Sequence, residues 1–236
     1  YLWSDDQTSA TATGLAAGIY TATVTDANGC AGTASATVGV GSGDDLFAKA
    51  RVKAILQGPY VPAAQLMHDS LRVNNLIPLT EPYSGLMNFT HTGGGGGEQT
   101  TAPVLAVTGN NAIVDWVFLE LRSAANPALV LATRSALVQR DGDVVDVDGV
   151  SPVRFAPGVS AANYSLAVRH RNHLGVQTGA AKLYPLGSAV ASDFSSLLPE
   201  GFYAFNGLNP AQKTVGGVFT LWAGNGRTDF QLKYNG

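Results

Sequence analysis

The sequence is poor in charge, in cysteine and in long apolar runs. Of its 236 residues, 13% are charged and only one, Cys30, is a cysteine. Soluble domains average about 25% charged residues, so this chain carries roughly half of the usual charge. A lone cysteine excludes a scaffold that is stapled by disulfides within the chain. No run of about 18 apolar residues occurs, so we expect no membrane span.

Basic residues are also few. The 14 Lys and Arg are spread thinly, the net charge is -3 and the pI is about 5.7, which argues against a nucleic-acid partner. Disorder is disfavoured as well, because disordered chains combine low hydrophobicity with high net charge, whereas 45% of these residues are hydrophobic. The segment after Tyr1 has no signal-peptide pattern, which fits either a removed signal or a piece of a longer protein.

What the sequence does contain is alternation with a period of two. Residues 19–25 and 33–40 alternate and are rich in β-branched types, which suits strands. Asp26-Ala27-Asn28-Gly29 lies between them, and Asn-Gly supplies the positive φ of a tight turn. The pattern predicts a β-hairpin, and the glycine-rich, polar residues 39–45 predict a linker after it.

A second body begins near Leu46. Residues 47–57 alternate apolar and basic side chains, and further short strands are separated by turns that carry Gly, Asn, Asp or Pro. The predicted strands are 104–107, 112–121, 130–137, 144–147, 153–155 and 164–170. Their regular spacing is typical of a sandwich or barrel and not of βαβ units. Beyond residue 185 the pattern weakens, with possible strands at 202–205 and 217–222.

The segment 58–103 is irregular and holds five prolines and the glycine tract Gly93–Gly97. Glycine loses the most backbone entropy when it becomes ordered. We therefore expect a long exposed loop in this segment.

The first forty residues resemble a known repeat. Tyr1-Leu2-Trp3-Ser4, followed by the stretch from Leu15-Ala16-Ala17-Gly18 to Asp26-Ala27-Asn28-Gly29-Cys30, is similar to the short repeat of SprB-type gliding adhesins. Those adhesins are giant cell-surface proteins of Bacteroidota. The resemblance implies an Ig-like repeat fragment over residues 1–40. The Gly/Pro-rich strand with which such a repeat normally begins is absent here.

The rest of the chain also resembles surface proteins. Residues 111–117 and 164–174 are similar to uncharacterised modules near the C-termini of type IX-secreted proteins from the same bacteria, and the tail from Leu221 looks like a dockerin-like calcium segment. In that segment Arg227 and Gly236 stand where ligand oxygens are expected. The resemblance implies an extracellular location on the bacterial cell surface.

The sequence therefore predicts an all-β fold class. An Ig-like repeat fragment at 1–40 is followed by a larger antiparallel β-sandwich at 46–185, and by an irregular C-terminal extension at 186–236 with possible extra strands. A repeat that lacks its first strand has an open edge, and open edges recruit strands from other chains. We therefore expect the chain to pair with itself, as a homopolymer or end to end, or with neighbouring repeats.

The densest acidic cluster lies at Asp141, Asp143, Asp146 and Asp148, and it is the candidate Ca²⁺ site, because Ca²⁺ takes several closely spaced oxygens. The EF-hand pattern fails here, since Val145 and Pro152 occupy ligand positions. The alternative is a hairpin with turns at 140–143 and 148–149.

Histidines offer a second candidate cluster. His170 and His173 would point to opposite faces of a strand and would converge only if a turn began between them. With His68 or His91 they suggest a Zn²⁺ site, and the alternative is a polar strand end. No G-x-S-x-G motif occurs, and Asp115 and Glu120 are an odd number of residues apart on their strand, so we predict no enzyme activity.

Aromatic residues are the candidates for a glycan surface. Tyr60 and Tyr83 lie in the Pro-rich segment and are predicted to stack on sugar rings, with packing under the loop as the alternative. Trp116 lies in the most apolar strand and is predicted to be core, and Cys30 is predicted to be buried. The function predicted overall is a non-enzymatic extracellular structural or adhesive role, as a surface stalk or filament subunit. The alternative is a carbohydrate-binding module that contacts surface glycans.

Overall fold

A computed structural model describes residues 1–16, 18–38, 43–196 and 212–223. The chain divides into two compact units, Tyr1–Asp45 and Leu46–Gly236. Strands dominate, and the two α-helices, α1 at Ser70–Val73 and α2 at Ala102–Leu105, have four residues each. The prediction of an all-β chain is confirmed. None of the helices in the described ranges has the length and apolar character that crossing a membrane requires.

The first unit is a three-stranded antiparallel sheet of β1 (Leu2–Trp3), β2 (Gly18–Thr25) and β3 (Ala31–Val38). The predicted hairpin is present, with eight residue pairs between β2 and β3. Its turn is held by Asp26, whose Oδ1 accepts the backbone N–H groups of Asn28 and Cys30. Cys30 is exposed, so its predicted burial is wrong. The reason is that a single-layered sheet has no interior at its turn.

The second unit contains the remaining strands of the described residues. They are β4 (Lys49–Lys53), β5 (Tyr60–Val61), β6 (Leu66–Met67), β7 (Ile113–Ser123), β8 (Val130–Gln139), β9 (Asp143–Val145), β10 (Val153–Arg154), β11 (Ala162–His170), β12 (His173–Gln177), β13 (Lys182–Tyr184), β14 (Ala189–Asp193), β15 (Gln212–Val215) and β16 (Val218–Leu221). Short 3₁₀ turns lie at Gly43–Leu46, Tyr83–Gly85 and Gly109–Asn111.

Nine of these strands form one curled sheet with the order β10-β4-β9-β8-β7-β11-β12, to which β13 adds at β11 and β14 at β4. All of its pairings are antiparallel except β14 with β4, which is parallel. Apolar side chains from most of these strands meet in one core cluster. The two packed faces expected of a sandwich therefore come largely from a single sheet that curls.

The described residues from 186 onwards, 186–196 and 212–223, belong to the second unit as well. The strand predicted at 217–222 is present as β16, and Leu221 is fully buried in the main core. The backbone N–H of Leu221 donates to the carbonyl of Ile55 over 2.7 Å. The predicted strand at 202–205 and the dockerin-like residues 225–229 lie outside the described residues.

Strand β7 is buried on both faces. Nine consecutive residues from Ile113 to Leu121 are buried, as the apolar run predicts for a central strand. Val114, Val117 and Leu119 face the main core, whereas Trp116 and Phe118 belong to a second cluster. The irregular segment 58–103 and helix α2 cover that second face with Ile77, Tyr83, Leu71, Phe89, Val104 and Leu105. The strand predicted at 104–107 is wrong, because this part of the chain begins as α2.

The glycine tract packs directly on strand β8. A Cβ at Gly93 would lie 2.4 Å from the carbonyl oxygen of Leu131, and a Cβ at Gly95 would lie 2.2 Å from that of Thr133. The outer side of the tract is exposed, as expected, but the inner side touches the sheet. Glycine is required here because any side chain would collide with the β8 backbone.

We predict that Gly95→Ala destabilises the chain by about 1–3 kcal/mol, because an added methyl group must push the tract away from β8. Gly58→Ala is the matched control, since a Cβ at Gly58 meets no atom within 4 Å. Urea unfolding followed by tryptophan fluorescence measures both variants. Equal midpoints for the two variants would contradict the close packing of the tract.

Candidate functional site

The four aspartates of the predicted calcium site do not converge. Asp141 and Asp148 accept backbone N–H groups of their own turns, from Asp143 in the first case and from Val150 and Ser151 in the second. These are the turn contacts of the hairpin alternative. Among the described residues, three potential metal ligands come together elsewhere in the unit.

Asp146 is the buried member of the four aspartates, and arginine side chains neutralise it. Its Oδ1 lies 2.6 Å from Nη2 of Arg134, and its Oδ2 accepts the backbone N–H of Arg154 over 3.0 Å. The side chain of Arg154 approaches Oδ2 to 3.5 Å. These contacts supply the positive charge that a cation would bring, so the calcium prediction has no support from the geometry.

The predicted glycan platform is wrong, because both tyrosines are buried. Tyr60 pairs with Met67 in the β5–β6 hairpin and is 7% exposed. Tyr83 is fully buried, and its hydroxyl donates to the carbonyl of Trp116 over 2.8 Å. The Pro-rich segment folds over β7 and uses its aromatic rings as core, so neither ring can stack on a sugar.

His170 and His173 meet where β11 turns into β12. Arg171 and Asn172 form the turn between the strands, and the two Nδ1 atoms lie 2.8 Å apart. The sequence predicts that the two histidines converge only if a turn begins between them, and the structure has that turn. His68 lines a neighbouring cavity of about 330 Å³ together with Ser70, Asp115 and both of these histidines.

The hydrogen bonds in this cluster determine which ring nitrogen of each histidine donates and which accepts. The backbone N–H of Asn172 donates to His170 Nδ1 over 3.1 Å, which makes Nδ1 an acceptor. His170 Nε2 therefore donates to Asp115 Oδ2, 3.1 Å away, and His173 Nδ1 donates to His170. Both ring nitrogens of His170 are thus used within the protein. The predicted Zn²⁺ site has no ligand atom left on His170.

The charges of the cluster are set by burial and by pairing. Burial raises the pKa of Asp115, but its bonds to His170 and Arg171 outweigh burial, and the pKa is lowered from its ordinary value. Burial also lowers the pKa of His173 to about 3. A general base works best when its pKa is close to the working pH, so neutral His173 is a poor base at this cavity.

A third cluster joins Glu81, His91 and Glu98. One ligand atom of each residue lies within 4.8 Å of the others. The sequence indicates His91 only as a third Zn²⁺ ligand beside His170 and His173, and it contains no motif at the two glutamates. Glu81 and Glu98 lie on either side of the glycine tract, and no local pattern shows that the tract brings them together.

Backbone groups around the glycine tract position the two carboxylates. Glu81 Oε2 accepts the N–H of Tyr83 over 2.6 Å, and Glu81 Oε1 accepts that of Gly97 over 3.2 Å. Glu98 Oε1 accepts the N–H of Gly96 over 3.0 Å. Burial raises the pKa of Glu81, but the hydrogen bonds that it accepts outweigh burial and lower the pKa, so Glu81 is ionised at neutral pH.

Comparison of the chain with models of protein families, with curated proteins and with solved structures finds no significant match. The function of the chain is therefore inferred mainly from the geometry of its two units.

We predict that the free energy of unfolding falls as pH drops from about 6.5 towards 4.5. In this window the unfolded chain protonates His173, whose ordinary pKa is 6.5, whereas the folded chain keeps it neutral, since its folded pKa is about 3. The contribution of this group approaches about 1.4 kcal/mol per pH unit. Urea unfolding at several pH values measures it.

His173→Gln should reduce this slope, and His68→Gln, which alters an exposed histidine at the same cavity, should keep it. If His173→Gln retains the full wild-type slope, the neutral state of His173 is wrong.

Proposed function

We propose that this chain is a non-enzymatic structural or adhesive module of the bacterial cell surface. Its first unit pairs with a second copy of the chain or with a neighbouring repeat. The observation that carries the proposal is the long, unprotected edge strand β3 in a sheet that has no core of its own.

The absence of a core is seen throughout the first unit. No described residue of Tyr1–Asp45 is buried, and Leu2 and Ile19 are 52% and 72% exposed. A sheet becomes stable by burying one face against another layer. Two or three strands without such a layer are marginal in water. A partner that supplies the layer would give this unit a core.

The edge of the sheet separately favours pairing with a strand, which would extend the sheet beyond β3. Strand β3 has eight residues, Ala31–Val38, and pairs with β2 along its whole length. It contains no charged residue and no proline, which are the devices that normally block edge pairing. An added strand would form main-chain hydrogen bonds along β3, as in β-augmentation.

The second unit supports a non-catalytic role. The cavity lined by His68, His170 and His173 holds a histidine chain that ends in His173, whose lowered pKa makes it a weak base at neutral pH. Asp115 is committed to His170 and Arg171. The location is supported by the similarity of residues 1–30 to the adhesin repeat.

We predict that the wild-type chain assembles in a concentration-dependent manner and that Thr33→Lys/Thr37→Lys weakens this assembly at least tenfold. The two exposed positions lie on one face of β3, where lysines would repel a second strand. Sedimentation velocity over a hundredfold concentration range, with electron microscopy of the largest species, measures the effect.

Met87→Lys/Val150→Lys is the matched control, because it adds the same charge at two exposed positions of the second unit. It should assemble like the wild type. A wild-type chain that is folded and strictly monomeric throughout the range would overturn pairing of the first unit with a second copy.

A further inference from the structure

We infer that Glu81, His91 and Glu98 form a binding site for one Zn²⁺ ion. Glu81 Oε1 lies 3.5 Å from His91 Nε2, and the ligand atoms of all three residues lie within 4.8 Å of one another. Tetrahedral Zn²⁺ with bonds of about 2.0–2.2 Å separates its ligand atoms by about 3.4 Å. The distance between Glu81 and His91 matches this separation, and the ligand atom of Glu98 would move closer when the ion binds.

Two ligand atoms in the cluster lack partners. His91 Nε2 and Glu98 Oε2 are buried and have no hydrogen-bond partner. The side chains of Glu81 and Glu98 are 0% and 2% exposed. A buried polar atom that is left unsatisfied destabilises the fold, and it does so more strongly when it is charged. A bound cation would satisfy both atoms at once.

The tautomer of His91 suits a metal ligand. The hydroxyl of Thr133 donates to the carbonyl of Thr92 and accepts the backbone N–H of Thr92. Its oxygen therefore also acts as the acceptor for His91 Nδ1, 3.3 Å away. In the neutral ring this leaves the lone pair on Nε2, which lies 3.5 Å from Glu81 Oε1. Metal-bound histidines are usually oriented by such a bond from their other ring nitrogen.

The charge balance of the neighbourhood also favours a cation. Arg134 approaches Glu98 to 3.6 Å, but it lies closer to Asp146, at 2.6 Å. Glu98 therefore shares its only described cation with a second buried carboxylate. Glu81 has no lysine or arginine partner among the described ion pairs. A divalent ion would supply the charge that two buried glutamates require.

The ligand types favour zinc over calcium. Ca²⁺ takes six to eight oxygen ligands, whereas this cluster offers two carboxylates and one imidazole. Imidazole together with carboxylate suits Zn²⁺. The ion would tie together three residues of the irregular segment, and His91 in turn contacts Thr133 on β8. Its role would be structural, and the inference does not depend on the proposed function of the first unit.

The test is a titration of the untagged full chain with ZnCl₂ after dialysis against a chelator. Isothermal titration calorimetry should show one Zn²⁺ per chain, and the melting temperature should rise on binding. His91→Gln and Glu98→Gln should each lower the affinity at least tenfold, because each removes one ligand. Far-UV circular dichroism confirms that each variant is folded.

Two further variants separate this site from unspecific histidine binding. His68→Gln alters an exposed histidine outside the cluster and should leave the affinity unchanged. Thr133→Val keeps the three ligands but removes the bond that orients His91, so the affinity should fall about 10–100-fold with the stoichiometry retained. The inference is overturned if the wild type shows no saturable binding of one Zn²⁺, or if folded His91→Gln binds Zn²⁺ as tightly as the wild type.

Discussion

The contact on which the second unit depends is the close approach of a glycine tract to the backbone of β8. Gly95 lies where any Cβ would collide with the carbonyl of Thr133. This approach lets the irregular segment lie flat against the sheet and cover the second face of β7. Trp116 and Phe118 are buried as a result. The same approach places Glu98 beside Glu81.

A chain with few charges buries several of them and pairs them. Asp115 bonds to His170 and Arg171, and Glu120 bonds to Arg122 and Arg169. Such buried pairs contribute little net stability compared with apolar residues of similar size, but leaving one partner unpaired is costly. In this sheet they connect neighbouring strands or their ends. Glu120 on β7, for example, bonds to Arg169 on β11, which supports the register between those strands.

Local patterns in the sequence predict the parts of the fold that local rules govern. Alternation and Asn-Gly predict the hairpin of β2 and β3, and the apolar run around Trp116 predicts a strand buried on both faces. These features depend on neighbours in sequence, so a single sequence contains them. The all-β class follows from them.

Features that depend on distant residues are not visible in this way. Tyr83 lies in a Pro-rich stretch that is typical of an exposed loop, yet its ring is buried against Phe118, far along the chain, and its hydroxyl donates to the carbonyl of Trp116. Glu81 and Glu98 have no local motif; the folded glycine tract and a backbone hydrogen bond from the N–H of Glu81 to the carbonyl of Glu98 bring them together. Prediction of the site therefore required knowledge of how the irregular segment packs.

The two units differ in how completely they bury the faces of their sheets. The second unit buries both faces of its central strand, whereas no described residue of the first unit is buried. The central claim is that a partner strand pairs with the first unit along β3. Hydrogen–deuterium exchange of the amides of residues 31–38, measured across protein concentrations, tests this claim most directly. Protection that rises with concentration, while the amides of β7 stay equally protected, is the predicted result. Exchange at β3 that does not depend on concentration would contradict the claim.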